Sequence, residues 1–168
     1  MVNLNDGVHY NWEKTLSYNA DITMVVGAPN KGKTYGLRAY ALNRAIKKDQ
    51  RFVEVCRTLN ERDAVKHSYF DKLIATDDEF SAYEYMCKAD EFKYRPKNSK
   101  KGTPWKTCGY IVGFAELQRA KKSTFVNVEN IIFDEAIMEK IDSSHQYKRD
   151  EWNTLSRMID SLAREDAY

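Results

Sequence analysis

Short apolar runs alternate with stretches of helical periodicity along the first half of the chain. Residues 22–26 (ITMVV) form a β-branched run that ends at a glycine, which predicts a fully buried strand. Apolar residues at helical spacing over 33–46 predict a helix, and residues 52–56 (FVEVC) predict a second strand. Asn60 is a candidate N-cap for a further helix that runs towards residue 74.

The second half of the chain repeats this alternation. Two runs, 83–87 and 92–94, are placed to pair as a β-hairpin. Residues 108–114 (CGYIVGF) and 130–133 (NIIF) predict two more strands, and an amphipathic helix is predicted from about Asp150. Strands that alternate with helices indicate an α/β fold, here a mostly parallel sheet flanked by helices with the hairpin as an insertion.

Composition narrows the class of protein. The 168 residues fit one globular domain, and 42% hydrophobic residues are enough to bury a core. No apolar run reaches the ~18 residues of a membrane-spanning helix, and the polar N-terminus does not resemble a secretory signal. Three widely spaced cysteines do not make a disulfide framework. These features favour a reducing cytoplasm and exclude secreted, membrane-embedded and cysteine-stapled proteins.

Positive charge is concentrated in one segment. The net charge is only +2, yet residues 93–106 (KYRPKNSKKGTPWK) carry six basic side chains and no acid. The rest of the chain is therefore net negative, and the net charge of the whole protein does not indicate a nucleic-acid partner. The basic loop is the one segment whose own charge is of the kind that such a partner would contact.

Residues 27–34 read GAPNKGKT and fit G-x-x-x-x-G-K-[ST], the phosphate-binding loop or Walker A motif. Its glycines let backbone N–H groups face phosphates, and the loop leads into a helix N-terminus, which favours anions. We expect Lys33 to reach the β- and γ-phosphates and the Thr34 hydroxyl to ligate magnesium. A chance Gly/Lys turn is the alternative, disfavoured by the strand and helix predicted on either side. The predicted nucleotide-binding residues are Gly27, Ala28, Pro29, Asn30, Lys31, Gly32, Lys33, Thr34 and Tyr35.

Two adjacent carboxylates, Asp134 and Glu135, follow the apolar run 130–133. Because α/β sheets bind ligands at the C-terminal ends of their strands, Asp134 is expected to hold magnesium, partly through water, in the Walker B role. Glu135 would orient an attacking water, which favours hydrolysis over transfer to a second metabolite. A solvated helix cap is the alternative for this pair. No [NT]KxD motif occurs, which disfavours GTP, so the predicted cofactors are ATP and Mg²⁺.

The sequence resembles the DNA-packaging ATPases of small phi-29-like bacteriophages. Four stretches carry the resemblance: YNWEKTLSY (10–18), VVGAPNKGKTY (25–35), AKKSTFVNVENIIFDEA (120–136) and LSRMIDSLARE (155–165). The phosphate loop and the DE strand occur in many ATPases, whereas the flanking stretches in this order are more discriminating. Residues 76–106 match poorly. The resemblance implies a P-loop NTPase core of the additional-strand catalytic-glutamate class over the single domain 1–168.

The resemblance also implies an assembly. It implies a homomeric ring of five subunits at the portal vertex of a phage procapsid in the host bacterial cytoplasm, with no membrane involved. The ring would couple ATP hydrolysis to the translocation of double-stranded DNA, and a packaging RNA is a further candidate partner. Arg164 lies at the family's arginine finger, supplied in trans to the neighbouring subunit, and Lys122 lies at a second such basic position. Arg57 lies near a third. A helix C-terminal arginine and a solvated loop lysine are the alternatives for Arg164 and Lys122.

A motor that translocates DNA must hold any sequence, so we expect it to contact phosphates rather than base edges. The basic loop insertion at 93–106 is the candidate surface, and a solvated loop without a ligand is its alternative. The predicted DNA-binding residues are Lys97, Lys100, Lys101 and Lys106.

Family members continue past the arginine finger into a further strand and a nuclease-like domain, whereas this sequence ends at Tyr168. We therefore expect it to be the N-terminal domain of a longer protein. Two other functions stay open. One is a helicase or helicase-loader ATPase domain. The other is a nucleotide-gated DNA-binding module with little hydrolysis, which the presence of Glu135 disfavours.

Overall fold

A five-stranded sheet is the centre of the structure, a computed structural model that describes residues 10–28, 30–117, 125–134 and 150–163. The strands are β1 (Arg51–Cys56), β2 (Tyr83–Lys88), β3 (Glu91–Pro96), β4 (Lys106–Gly113) and β5 (Val128–Phe133). The helices are α1 (Trp12–Leu16), α2 (Lys33–Lys48), α3 (Leu59–Ser68), α4 (Asp71–Thr76), α5 (Asp78–Ser81), α6 (Phe114–Leu117) and α7 (Glu151–Ala163). The order of strands across the sheet is β2-β3-β4-β1-β5.

The sheet is mixed, which corrects the expected fold. β1 runs parallel to β4 and β5, whereas β3 pairs antiparallel with both β2 and β4. The strand predicted over residues 22–26 is not part of this sheet, and its side chains Ile22, Met24 and Val26 are 50%, 66% and 77% exposed. The predicted P-loop NTPase core with a mostly parallel sheet is therefore wrong, because the apolar run that should have formed its central strand is neither paired nor buried.

The two faces of β1 hold two separate apolar clusters. Phe52 and Cys56 lie on the face covered by α2 and by the aromatic residues that follow α3. Val53 and Val55 point to the opposite face, where they pack with residues of β4 and α6 and with Leu155 of α7. Successive side chains of a strand alternate between faces, so burial on both sides explains why 52–56 reads as an almost continuous apolar run.

The N-cap predicted at Asn60 is found two residues earlier, at Thr58, and the helix is shorter than expected. Thr58 caps α3: its hydroxyl accepts from Glu61 N at 3.1 Å, and the Glu61 carboxylate accepts from Thr58 N at 3.4 Å. This reciprocal capping box satisfies N–H groups that a helix cannot satisfy itself. The expected single helix to residue 74 is divided into α3 and α4 at Tyr69 and Phe70. The rings of these two residues are buried in the apolar cluster on the face of β1 that α2 covers.

The predicted hairpin is formed by β2 and β3, joined by the two-residue turn Ala89–Asp90. Both turn residues have positive φ, 51° and 61°, as a type I′ hairpin turn requires. β4 extends from Lys106, earlier than the predicted start at residue 108, and pairs with β3. Within the ranges that the structure describes, no helix is both long and apolar enough to cross a membrane.

Candidate functional site

The loop over residues 27–34 leads directly into α2. Gly32 is the N-cap of the helix at φ 69°, a left-handed conformation that strains any residue with a Cβ. No side chain caps this end, and the first backbone N–H that bonds back is Gly36 N, to Gly32 O at 2.8 Å. The N–H groups at 33–35 thus lack an intrahelical acceptor. A helix end of this kind carries partial positive charge and favours an anion.

Lys33 folds back over this loop. Its Nζ donates to Gly27 O at 2.9 Å and to Ala28 O at 2.6 Å. The other side of the loop is held by the segment before α1, where Trp12 Nε1 donates to Lys33 O at 2.7 Å and Tyr10 N donates to Lys31 O at 3.0 Å. The ammonium group is therefore bonded to two loop carbonyls, in a loop that a buried tryptophan anchors. Sequence reasoning did not single out Trp12.

The remaining predicted nucleotide-binding residues are placed around this loop. Asn30 has φ 59°, and the Lys31 side chain is exposed. Tyr35 lies in the first turn of α2, where its hydroxyl accepts from Thr76 Oγ1 at 2.9 Å. Pro29 lies outside the described residues.

Thr34 and Asp134 are brought to the same edge of the sheet. Asp134 directly follows β5, at the edge where the parallel strands β1, β4 and β5 end. Only residues 49–50 separate α2 from β1, so the helix runs back along the sheet and its N-terminus, with Thr34, lies at that edge. Arg38 lies one helical turn after Thr34. Burial lowers the pKa of its guanidinium, but the negative charges of Glu54 and Asp134 help to raise that pKa above its usual value. The predicted residues Glu135, Lys122 and Arg164 lie outside the described residues.

A buried ion pair links α2 to the sheet beside this edge. Glu54 lies mid-strand in β1 and is 1% exposed. Its Oε1 accepts from Arg38 Nε at 3.1 Å and Nη2 at 2.5 Å, and its Oε2 accepts from the Tyr69 hydroxyl at 3.3 Å. The Arg38 guanidinium also lies 4.7 Å from the Tyr69 ring centroid. Burial raises the pKa of the Glu54 carboxyl, and Arg38 opposes that rise.

Sequence reasoning missed this Arg38–Glu54 pair. The available signal was a lone acid inside the apolar run FVEVC, since an acid seldom occupies a buried strand position unless it is paired. Its partner could not be found from spacing, because Arg38 lies on a different element.

Arg57, predicted near a basic position of the family, is engaged within this chain. It follows β1, and its Nη1 lies 2.5 Å from Glu151 Oε1 at the start of α7. Its guanidinium is also 5.2 Å from the Phe133 ring centroid. The contact joins α7 to the end of β5, next to Asp134.

The basic loop is ordered by its own hydrogen bonds. Ser99 N donates to Pro96 O at 3.1 Å and Thr103 N donates to Lys100 O at 3.0 Å, which gives two successive turns. At the base of the loop, the Arg95 guanidinium lies 4.4 Å from the Trp105 ring centroid and pairs with Glu84 at 2.7 Å.

The cations of segment 93–106 fall into two groups. Lys93 and Arg95 lie on β3 and are paired with Glu91 and Glu84. The side chains of the second group are exposed and make no hydrogen bond or ion pair with the rest of the described chain. This group consists of Lys97, Lys100, Lys101 and Lys106. Since β4 begins next to this loop and ends at the edge that carries Asp134, the loop lies at the opposite edge of the sheet.

A family model describing the Podovirus DNA encapsidation protein (Gp16) matches residues 4–167 of the chain. The chain belongs to this Gp16 family. Two curated relatives, the DNA packaging proteins of Bacillus phages phi29 and PZA, are each 30% identical to it over 161 residues. The alignments cover 96% of this chain and 44% of each relative, so the chain spans less than half of their length.

Two solved structures agree with the family assignment. The N-terminal domain of the DNA packaging ATPase from bacteriophage phi29 aligns with a TM-score of 0.75 and 31% identity, over 91% of this chain and 71% of that one. The bacteriophage Phi-29 viral genome packaging motor assembly aligns with a TM-score of 0.72 and 31% identity, over 92% of this chain and 43% of that one. The fold is thus that of a small Gp16-family domain with a mixed sheet, in place of the expected P-loop core. The resemblance to phi-29-like packaging proteins is confirmed at the level of the family.

Proposed function

We propose that this Gp16-family domain binds Mg²⁺·ATP at residues 27–35 and Asp134, and hydrolyses it to drive the packaging of double-stranded DNA into a phage procapsid. The observation that carries the proposal is the uncapped N-terminus of α2, with the Lys33 ammonium folded into its loop. The names of its relatives, which are DNA packaging proteins, favour packaging over the helicase alternative.

The loop would bind the triphosphate with two kinds of donor. The N–H groups at 33–35 offer directed hydrogen bonds and the partial positive charge of the helix end. Lys33 supplies a full charge, and phosphate oxygens would compete with the carbonyls of Gly27 and Ala28 for its ammonium. The bonds to the carbonyls have only the donor ionised, whereas in bonds to phosphate the acceptor is ionised as well and the attraction is stronger, so this exchange favours the nucleotide.

The donor set at this edge fits magnesium. Mg²⁺ prefers oxygen ligands, and it is usually held by one or two carboxylates together with phosphates and waters rather than by an all-protein cage. Thr34 offers a hydroxyl and Asp134 a carboxylate at one edge.

Hydrolysis would use residues outside the described part of the chain. Glu135 follows Asp134 in sequence, and in this proposal its carboxylate would orient an attacking water. Arg164 and Lys122 would act in trans, in a homomeric ring of five subunits at the portal vertex, and a packaging RNA is a further candidate partner.

Removal of the Lys33 ammonium tests nucleotide binding. Lys33→Ala is expected to weaken the affinity for a fluorescent ATP analogue about 10- to 100-fold, because a hydrogen-bonded charged donor contributes about 1.5–3 kcal/mol. Lys14→Ala, which removes an exposed lysine from α1, is the matched control and should bind as the wild type does. Equal affinity in the Lys33 variant and the control would contradict the assignment of the site.

We propose that the four exposed lysines of the basic loop hold the DNA backbone. Binding to random duplex should weaken with salt along a log–log slope of about −0.9 per neutralised phosphate. The triple variant Lys97→Ala/Lys100→Ala/Lys101→Ala should make this slope shallower by about 0.9 for each phosphate that the loop no longer neutralises, and leave ATP affinity unchanged. Fluorescence anisotropy over a series of salt concentrations would measure it.

A second triple variant removes the same charge from the opposite edge of the sheet. Lys14, Lys66 and Lys88 lie on α1, α3 and the end of β2, away from the basic loop. Their replacement by alanine should leave the salt slope close to the wild-type value. If both triple variants changed the slope equally, DNA would be responding to net charge, and the loop would be a solvated loop without a ligand.

A further inference from the structure

Two carbonyls at the end of the 27–34 loop are held by the short segment at the start of α1. Trp12 is 6% exposed, and its indole Nε1 donates to Lys33 O at 2.7 Å. Tyr10 N donates to Lys31 O at 3.0 Å, and the Tyr10 ring meets the Trp12 ring edge-on with the ring centroids 4.9 Å apart. The loop is thus bonded twice to a segment that lies outside its own motif.

This segment is itself fixed by hydrogen bonds. Asn11 caps α1, because its side-chain oxygen accepts from Lys14 N at 2.9 Å. The Tyr10 hydroxyl is hydrogen-bonded to Thr15 Oγ1 at 2.7 Å. Trp12 is the first residue of this capped turn, so its indole bonds to the loop from a defined position.

A bond to a carbonyl also directs the N–H group of the same peptide. The peptides of the described chain are trans, and in a trans peptide the C=O and N–H point in opposite directions. With Lys33 O held by Trp12, the Thr34 N–H therefore points away from the indole. The Lys33 ammonium also supplies the full charge of the proposed nucleotide site. Trp12 thus holds the backbone of the residue on which that site depends most.

We propose that Trp12 is a positioning residue that keeps the loop in the conformation that binds the triphosphate, by holding the peptide between Lys33 and Thr34. The inference rests on the proposed Mg²⁺·ATP site. A loop without this bond would spend part of its time in other conformations, and the apparent affinity falls in proportion to the fraction of chains that are competent to bind. Because a buried indole N–H without an acceptor is costly, Trp12 and the loop remain together.

The first test is Trp12→Phe, which keeps a buried aromatic ring and removes the donor. Since one hydrogen bond is lost from the competent loop, the affinity for the ATP analogue should fall by about 3- to 10-fold. Titration calorimetry on the whole chain measures the dissociation constant and the number of binding sites separately. If Trp12 only supported the fold, unfolded chains would lower the number of sites and the dissociation constant of the rest would not change.

Tyr10→Phe is the matched control in the same segment. It removes the hydroxyl that bonds to Thr15 but keeps the ring and the main-chain N–H that bonds to Lys31 O. Its dissociation constant should equal that of the wild type. An equal loss in Tyr10→Phe and Trp12→Phe would assign the effect to the segment as a whole and overturn the role of the indole.

A replacement of the same shape separates the N–H group from the packing of the ring. The variant Trp105→Phe/Trp152→Phe keeps Trp12 as its one tryptophan, since the chain has three. Growth of this variant on benzothienylalanine, in which sulfur takes the place of the indole N–H, changes that ring alone. The same variant grown on tryptophan is the control, and the sulfur form should bind the analogue more weakly by the factor expected for Trp12→Phe.

The sulfur form keeps the inference testable if Trp12→Phe does not fold, as judged by circular dichroism. An unchanged dissociation constant in the sulfur form would overturn the positioning role, whether or not Trp12→Phe bound more weakly. A wild type that did not bind the analogue, or bound it as well after Lys33→Ala, would instead overturn the proposed site and this inference with it. Lys33-dependent binding in the wild type with equal binding in the sulfur form would overturn the inference alone.

Discussion

Glu135→Gln is expected to lower ATP turnover by about 10²–10⁴-fold, the range contributed by a general base, with ATP affinity within about threefold of wild type. The amide keeps the size of the carboxylate but cannot accept a proton from water, so the loss falls on the transition state rather than on the bound nucleotide. Phosphate release and binding of the fluorescent ATP analogue, measured side by side, would give both quantities.

Glu129→Gln is the matched control for this change. Glu129 lies on β5 and is exposed, so the same substitution should leave turnover close to the wild-type value. Near wild-type turnover in Glu135→Gln would show that this residue is not the base. A strong loss of nucleotide affinity would instead mean that Glu135 supports the fold or the bound ground state. Retained binding with little hydrolysis in the wild type itself would favour the nucleotide-gated DNA-binding module.

Arg164→Ala is expected to lower the turnover of an assembled ring by about 10³–10⁵-fold, the effect of losing an arginine finger. The ATP affinity of a single subunit should be almost unchanged, because the guanidinium would act on a neighbour's nucleotide. Mixed rings of Arg164→Ala and Glu135→Gln subunits should regain part of the activity, since some interfaces then pair an intact Glu135 with an intact Arg164.

Arg157→Ala removes an exposed arginine of α7 and should leave ring turnover unaffected. For the mixed rings, analytical ultracentrifugation would establish that the Arg164→Ala and Glu135→Gln subunits enter the same assembly. Mixed rings that contained both subunits and showed no regained turnover would contradict a role in trans. An equal loss in Arg157→Ala would point to damage of α7 as a whole.

Elements with local signals were predictable from the sequence. Helix α2 follows from helical periodicity, and the β2–β3 hairpin from two short apolar runs close together in the chain. The start of α3 was misjudged because Asn60 and Thr58 are both good N-cap residues, and only the reciprocal bonds with Glu61 decide between them.

The misjudged features depend on long-range partners. Residues 22–26 have the composition of a buried strand, but a strand exists only where a neighbour supplies its hydrogen bonds, and composition does not show this. The sheet is mixed because β3 pairs antiparallel with β4, and this long-range pairing is likewise not shown by composition. Of the candidate site, the loop with Lys33 and the position of Asp134 after a strand were predictable, whereas the Arg38–Glu54 pair depends on a contact between a helix and a strand.

The placement of the basic loop and Asp134 at opposite edges of the sheet limits how they can communicate. The eight residues of β4 that separate the edges span roughly 26 Å at about 3.3 Å per residue. The Debye length at physiological ionic strength is about 8 Å, so a DNA phosphate at the loop would be electrostatically screened from a nucleotide phosphate at the edge that carries Asp134. If the proposed DNA and nucleotide sites are both occupied, coupling between them within this domain would therefore be mechanical, through displacement of the strands and of α2 rather than through charge.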